Sequence, residues 1–168
     1  MFNNDIYFCR LGTDKCEIIR ISAPIKQFWA KELNLDYKEL LSDGPYKEKY
    51  RKEMIIWSDK VRHNDYGFFC REAMKLATRD IIFVSDIRRK TDIRWFKENY
   101  GNIVKTIRLN TDDEIRIQRG WKFEDGVDNV QSECDLDDYT EWDWIFNNSD
   151  TETSNLLSEK IGSLALDS

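Results

Sequence analysis

An α/β fold built on a mostly parallel sheet is predicted by two patterns in the chain. Short apolar, β-rich segments alternate with longer segments of helical periodicity. Ile-Ile-Phe-Val (81–84) is also an unbroken apolar run of the kind that parallel strands show. The size agrees with one domain over 1–168. The 168 residues include 6 Trp, 9 Phe and 7 Tyr, enough bulk for a core.

In chain order, Phe2, Ile6 and Cys9 stand at helical spacing before Gly12, so the chain is expected to open on a helix. Residues 16–21 read as a strand. Ser22 is then a candidate N-cap, with Pro24 tolerated in the first turn of a helix reaching about Leu33. Tyr46, Tyr50, Met54, Trp57 and Val61 recur at i+4 and i+3, predicting a long amphipathic helix. After the strand at 81–84, Thr91 and Asp92 can cap a helix carrying Ile93, Phe96 and Tyr100, and 103–109 reads as a third strand. Thr111 with Glu114 has the spacing of a capping box for a helix ending near Arg119. The stretch 120–141, rich in Gly, Asp and Glu, is too polar and irregular to be core and reads as a mobile flap. Residues 142–146 form the fourth predicted strand, and Leu157, Ile161 and Leu164 mark a closing helix.

Composition excludes several function classes. The 26 basic and 32 acidic residues give a net charge of −6, against a general nucleic-acid binder, whose non-specific affinity needs excess positive charge. No apolar run reaches the roughly 18 residues of a membrane span. Cys9, Cys16, Cys70 and Cys134 form no CxxC or Cys/His pair, so free thiols are expected rather than zinc or a disulfide framework. With no secretory pattern at the start, a cytoplasmic location is expected. His63 has no nucleophile or ligand at recognisable spacing and reads as a surface residue.

Ligands of open parallel sheets bind beyond the carboxyl ends of the strands. Ser22 to Lys26, Asp86 with Arg88 and Arg89, Asn110 and Asn148 would all fall there, and Arg71, Arg108, Arg116 and Arg119 add further guanidinium groups suited to phosphate. Long charged side chains also cover solvated faces. Arg88 and Arg89 are the harder pair to dismiss so, because they follow an apolar strand directly. Asp86 could hold the water shell of a magnesium ion or cap a helix, and the residue pattern leaves both open.

Eight runs, Arg-Ile-Ser-Ala-Pro-Ile-Lys (20–26), Tyr-Lys-Glu-Lys-Tyr-Arg-Lys (46–52), Gly-Phe-Phe-Cys-Arg (67–71), Val-Ser-Asp-Ile-Arg-Arg (84–89), Ile-Arg-Trp-Phe (93–96), Arg-Ile-Gln-Arg-Gly-Trp (116–121), Ser-Glu-Cys (132–134) and Asp-Trp-Ile-Phe-Asn-Asn (143–148), closely resemble the animal type of phosphomevalonate kinase in order and spacing. The resemblance implies a nucleoside-monophosphate-kinase-like parallel sheet with flanking helices. It also implies transfer of the γ-phosphoryl of ATP, with Mg²⁺, to 5-phosphomevalonate in isoprenoid and sterol synthesis, by a monomer. Carried over residue by residue, Lys26, Lys47, Arg51, Arg71, Arg88 and Arg89 would hold the phosphomevalonate side. Arg108, Arg116 and Arg119 would serve the nucleotide and the transferring phosphoryl, with a lid over about 116–141, and Asn148 would lie near the nucleotide. Asp86 would reach Mg²⁺ through water.

One departure stands out. The seven glycines include no Gly-Lys pair, so the first strand and phosphate loop of such kinases are expected to be absent from this chain. The family's strand order is 2-3-1-4-5. Four parallel strands in two pairs are therefore expected, one pair near 17–21 and 81–84, the other near 104–109 and 143–146. A form that binds phosphomevalonate without using ATP productively is the alternative reading.

Overall fold

The structure is a computed structural model that describes residues 15–42, 44–126 and 128–149, together with 155, 156, 159, 162 and 163. The opening helix around Phe2 to Gly12 and the closing one through Leu157, Ile161 and Leu164 lie outside the described residues.

Among the described residues four strands form two parallel pairs, as expected. β1 (Cys16–Ile19) pairs with β2 (Ile81–Val84) in the register Cys16 opposite Ile81. β3 (Ile107–Asn110) pairs with β4 (Trp144–Asn147) in the register Ile107 opposite Trp144. Parallel neighbours need a crossover. The first crossover carries α1 (Ser22–Glu32), α2 (Tyr37–Leu41), α3 (Pro45–Asn64) and α4 (Phe68–Met74). Between the pairs runs α5 (Lys90–Tyr100), closed by a 3-10 turn over Gly101–Ile103. The second crossover carries α6 (Asp113–Gln118) and α7 (Gln131–Cys134).

The first pair has the better core. Ile21, Phe69, Cys70, Trp95 and Phe96 are buried together, with Trp57, Val61 and Val84 packed against them. The long amphipathic helix is thus confirmed as α3: its apolar stripe buries Met54 and packs Trp57 edge-on against Phe69 at 5.5 Å. Gly67 stands where no larger residue fits, because a Cβ there would run into the Trp95 indole. β2 is half-buried rather than fully buried, as a strand laddered on one edge only among the described residues must be.

Several capping expectations are corrected. Ser22 makes no side-chain cap: it is already helical, and the start of α1 is capped from 64 residues away by Asp86. Neither Thr91 nor Asp92 caps α5, because the helix already begins at Lys90 and Asp92 points into the core. Thr111 and Glu114 form no capping box, since Asp112 is the N-cap of α6 and makes no side-chain cap bond. The third strand starts at Ile107 rather than 103 because Gly101, at φ +57°, terminates α5 and starts the 3-10 turn. The helices α2, α4 and α7 are too short for periodicity to reveal. The polar stretch 120–141 does contribute to the interior through Leu136, which is 7% exposed.

Candidate active site

Asp86 follows β2, and its two carboxylate oxygens accept hydrogen bonds from the backbone N–H groups of Ile21 at 2.7 Å and Ser22 at 3.0 Å. Of the two roles open to it, capping is the one the geometry displays. This bond ties the end of β2 to the start of α1, which carries the half-buried Lys26.

Arg88 and Arg89 leave the same strand end in different directions. Arg89 donates to Asp59 of α3 at 2.6 Å, with its side chain 11% exposed. Arg88 pairs with Glu133 of α7, and Arg51 of α3 reaches the same Glu133 oxygen at 3.5 Å. Two candidate arginines from different elements therefore converge on one carboxylate. Arg51 also pairs with Glu48, three residues earlier, at 3.3 Å, and Lys47 with Glu48 at 3.6 Å. Arg71 lies apart from this convergence, fastened to Asp65 at the entrance to α4. That bond holds the Asp65 carboxyl below the usual carboxylate range.

On the other side, Arg119 donates to the Asn148 carbonyl at 2.9 Å, so two residues assigned to the nucleotide side are brought together. Asn148 is 8% exposed and its own N–H is bonded to the Asn110 carbonyl at 2.6 Å, continuing the β3–β4 ladder. Arg108 of β3 reaches Asp137 at 3.3 Å and the Leu136 carbonyl at 3.5 Å, with its guanidinium 5.8 Å from the Trp142 ring centre. Arg116 stacks over Trp121 at 3.9 Å and pairs with Asp113. These contacts are local, within one turn of α6 and the residues just after it.

Sequence reasoning gave no role to Glu133, Asp59 or Lys90, although Glu133 stands in the run Ser-Glu-Cys. The Lys90 backbone N–H donates to Asp135 at 2.9 Å and its ammonium to Asp138 at 2.7 Å, which raises the lysine pKa. The signal was present in the acidic run Asp135, Asp137 and Asp138, whose charge matches the basic run at 88–90. Asp92 was assigned a cap and is a core carboxylate, 1% exposed, 3.6 Å from Arg62 and from the Cys70 thiol. Burial raises its pKa against the opposing pull of Arg62, and burial likewise pushes the Cys70 thiol up, keeping it protonated and unreactive.

Residues 2–102 match the family model described as phosphomevalonate kinase. The phosphomevalonate kinase of Drosophila melanogaster is 52% identical over 161 residues, covering 90% of this chain and 85% of that protein. The chain belongs to the phosphomevalonate kinase family. For a kinase of this family, the guanidinium groups gathered past β2 and β4 are a chemically apt set, since they match phosphate oxygens in charge and in planar donor geometry. Among the described residues no group of three or more His, Cys, Asp or Glu is placed to hold a metal ion. Nor is any described helix long and apolar enough to cross a membrane. His63 is exposed in the last turn of α3, in keeping with a surface role.

Proposed function

We propose that this chain transfers the γ-phosphoryl of ATP to the phosphate of 5-phosphomevalonate, giving 5-diphosphomevalonate and ADP, within isoprenoid and sterol synthesis in the cytoplasm. The observation that carries the reading is the convergence of Arg51 and Arg88 on one anion, the Glu133 carboxylate, past the carboxyl end of β2, where Arg89 turns instead to Asp59. The substrate phosphate is the natural anion for that position. In phosphoryl transfer the protein positions two anions and neutralises the charge that develops between them, and it needs no nucleophile of its own. Lys26, Lys47, Arg51, Arg71, Arg88 and Arg89 hold the phosphomevalonate. Arg108, Arg116 and Arg119 serve the nucleotide from the lid side, about 116–141, beside Asn148.

A magnesium ion fits as the nucleotide's companion rather than as a protein-caged metal. Each oxygen of Asp86 keeps a lone pair beyond its one capping bond, enough to hold a metal-bound water. When bound, Mg²⁺ supplies neutralisation of the β- and γ-phosphate charge.

The test is titration calorimetry with 5-phosphomevalonate, alongside ADP release with Mg-ATP. Arg88→Ala and Arg89→Ala should each weaken binding of 5-phosphomevalonate about tenfold or more, each tenfold being 1.36 kcal/mol, whereas Lys31→Ala on the exposed side of α1 should leave it unchanged. Equal, small effects from all three would place the arginines on a solvated surface and overturn the reading, as would a failure of 5-phosphomevalonate to stimulate ADP release.

A further inference from the structure

Four cations of the candidate site are paired with carboxylates close by in sequence. Glu48 serves Lys47 and Arg51, Asp65 serves Arg71 and Asp113 serves Arg116. Such pairs survive whatever enters the site, because both partners ride on the same short segment. Glu133 is different. It lies 82 residues from Arg51 and 45 from Arg88, and among the described residues it is the carboxylate that joins two candidate substrate-side arginines from separate elements.

Two guanidinium groups brought to one point repel each other unless an anion lies between them. Glu133 relieves this repulsion, and with Glu48 shared between Arg51 and Lys47 the three cations keep one positive charge in excess over the two carboxylates. A phosphate monoester, close to dianionic near neutral pH, matches the pair fully and offers more acceptor oxygens. The carboxylate is therefore the weaker of two anions competing for one position. It is also well placed to give way: Arg88 is 53% exposed and the Glu133 side chain 24%. The strap that carries it stays anchored on either side of the exchange, by Leu136 in the interior, by Asp135 on the Lys90 N–H and by Asp137 on Arg108.

We propose that Glu133 is a built-in stand-in for the substrate phosphate, a positioning residue that keeps Arg51 and Arg88 together in the empty site and is displaced when the phosphate binds. This rests on the kinase reading for the identity of the phosphate, and on the described contacts alone for the exchange. It couples Glu133 directly to substrate entry: phosphate arrival releases its side chain while the 135–137 anchors of the strap hold.

The experiment measures binding of inorganic phosphate and, separately, of 5-phosphomevalonate to the full 168-residue chain, for the wild type, Glu133→Gln and Glu133→Asp. Removing the competing charge should tighten binding of both ligands about fivefold, the scale of half-exposed ion pairs. Glu133→Asp, which keeps the charge, should stay within about twofold of the wild type, and the gain from Glu133→Gln should shrink with added salt, as screened charges require. In the Arg88→Ala background the gain should largely vanish, an outcome that a merely structural role for Glu133 would not produce. Unchanged or weaker phosphate binding by a folded Glu133→Gln chain overturns the proposal, as does a full gain in the absence of Arg88. If inorganic phosphate responds as stated while 5-phosphomevalonate binds no better than inorganic phosphate, the exchange stands and the substrate assignment fails.

Discussion

The two strand pairs of this protein are ordered by different means. Around β1–β2 the side chains meet in an apolar cluster of Ile21, Phe69, Cys70, Trp95 and Phe96, and the candidate arginines are set on a rigid base by the helices packed there. Around β3–β4, Leu109 and Ile145 are 36% and 59% exposed, and polar bonds do most of the fastening. Asp143 accepts from the Thr106 N–H at 2.8 Å and from its hydroxyl at 2.7 Å, and Ser149 donates to Asp112 at 2.9 Å. Apolar packing is non-directional and strong in sum. A ladder fixed by hydrogen bonds is more specific in geometry but contributes less per contact.

The sharpest way to break this contrast is a pair of truncations. Phe69→Ala should cost about 3–5 kcal/mol, the range for a fully buried ring, whereas Ile145→Ala should stay within about 0.5 kcal/mol, as exposed positions do. Urea denaturation of both variants decides it. Comparable losses would mean that the two halves are packed alike.

A smaller effect is expected from adding one methyl group. Gly67→Ala pushes a Cβ against the Trp95 indole and should destabilise by about 1–3 kcal/mol, the usual cost of overpacking. Gly101→Ala, at φ +57° with nothing near its Cβ, should also destabilise, through backbone conformation alone. The second replacement with Trp95→Ala in place should cost the same as without it, while the first should become cheaper. Thermal melts of the single and double variants separate the two causes.

The subtlest difference concerns two carboxylates. Burial raises the pKa of Asp92, beside the first pair, above its ordinary 3.8. Burial also presses upward on Asp143, beside the second, but its Thr106 bonds prevail and lower it below 3.8. A lowered folded pKa contributes stability that is present above the unfolded value and lost as pH falls through the folded one. A raised folded pKa does the reverse, contributing below the unfolded value and losing that contribution as pH rises through the folded one. The stability of the wild type relative to Asp143→Asn should therefore rise with pH below about 4, and relative to Asp92→Asn should fall with pH above about 4. Slopes of the same sign in denaturation profiles from pH 3 to 7 would contradict the assignment of the two environments.

The sequence alone determined the alternation of strands and helices, the apolar run at 81–84, the stripe from Tyr46 to Val61 and the family to which the chain belongs, because periodicity and ordered motifs are local properties that survive in one dimension. It also singled out Arg88 and Arg89 as candidates, because they follow the apolar strand directly. Only the tertiary structure decided which carboxylate meets which cation. Asp86 reads as a cap or a metal ligand until Ile21 and Ser22 are seen 65 and 64 residues away, and Asp92 passes for a cap until Arg62 and Cys70 surround it. Glu133 falls in the family-like run Ser-Glu-Cys, but nothing local in that run names its partners. An ion pair across 82 residues costs nothing in the pattern of either segment, and its existence depends on how α3, α7 and the end of β2 come together in space.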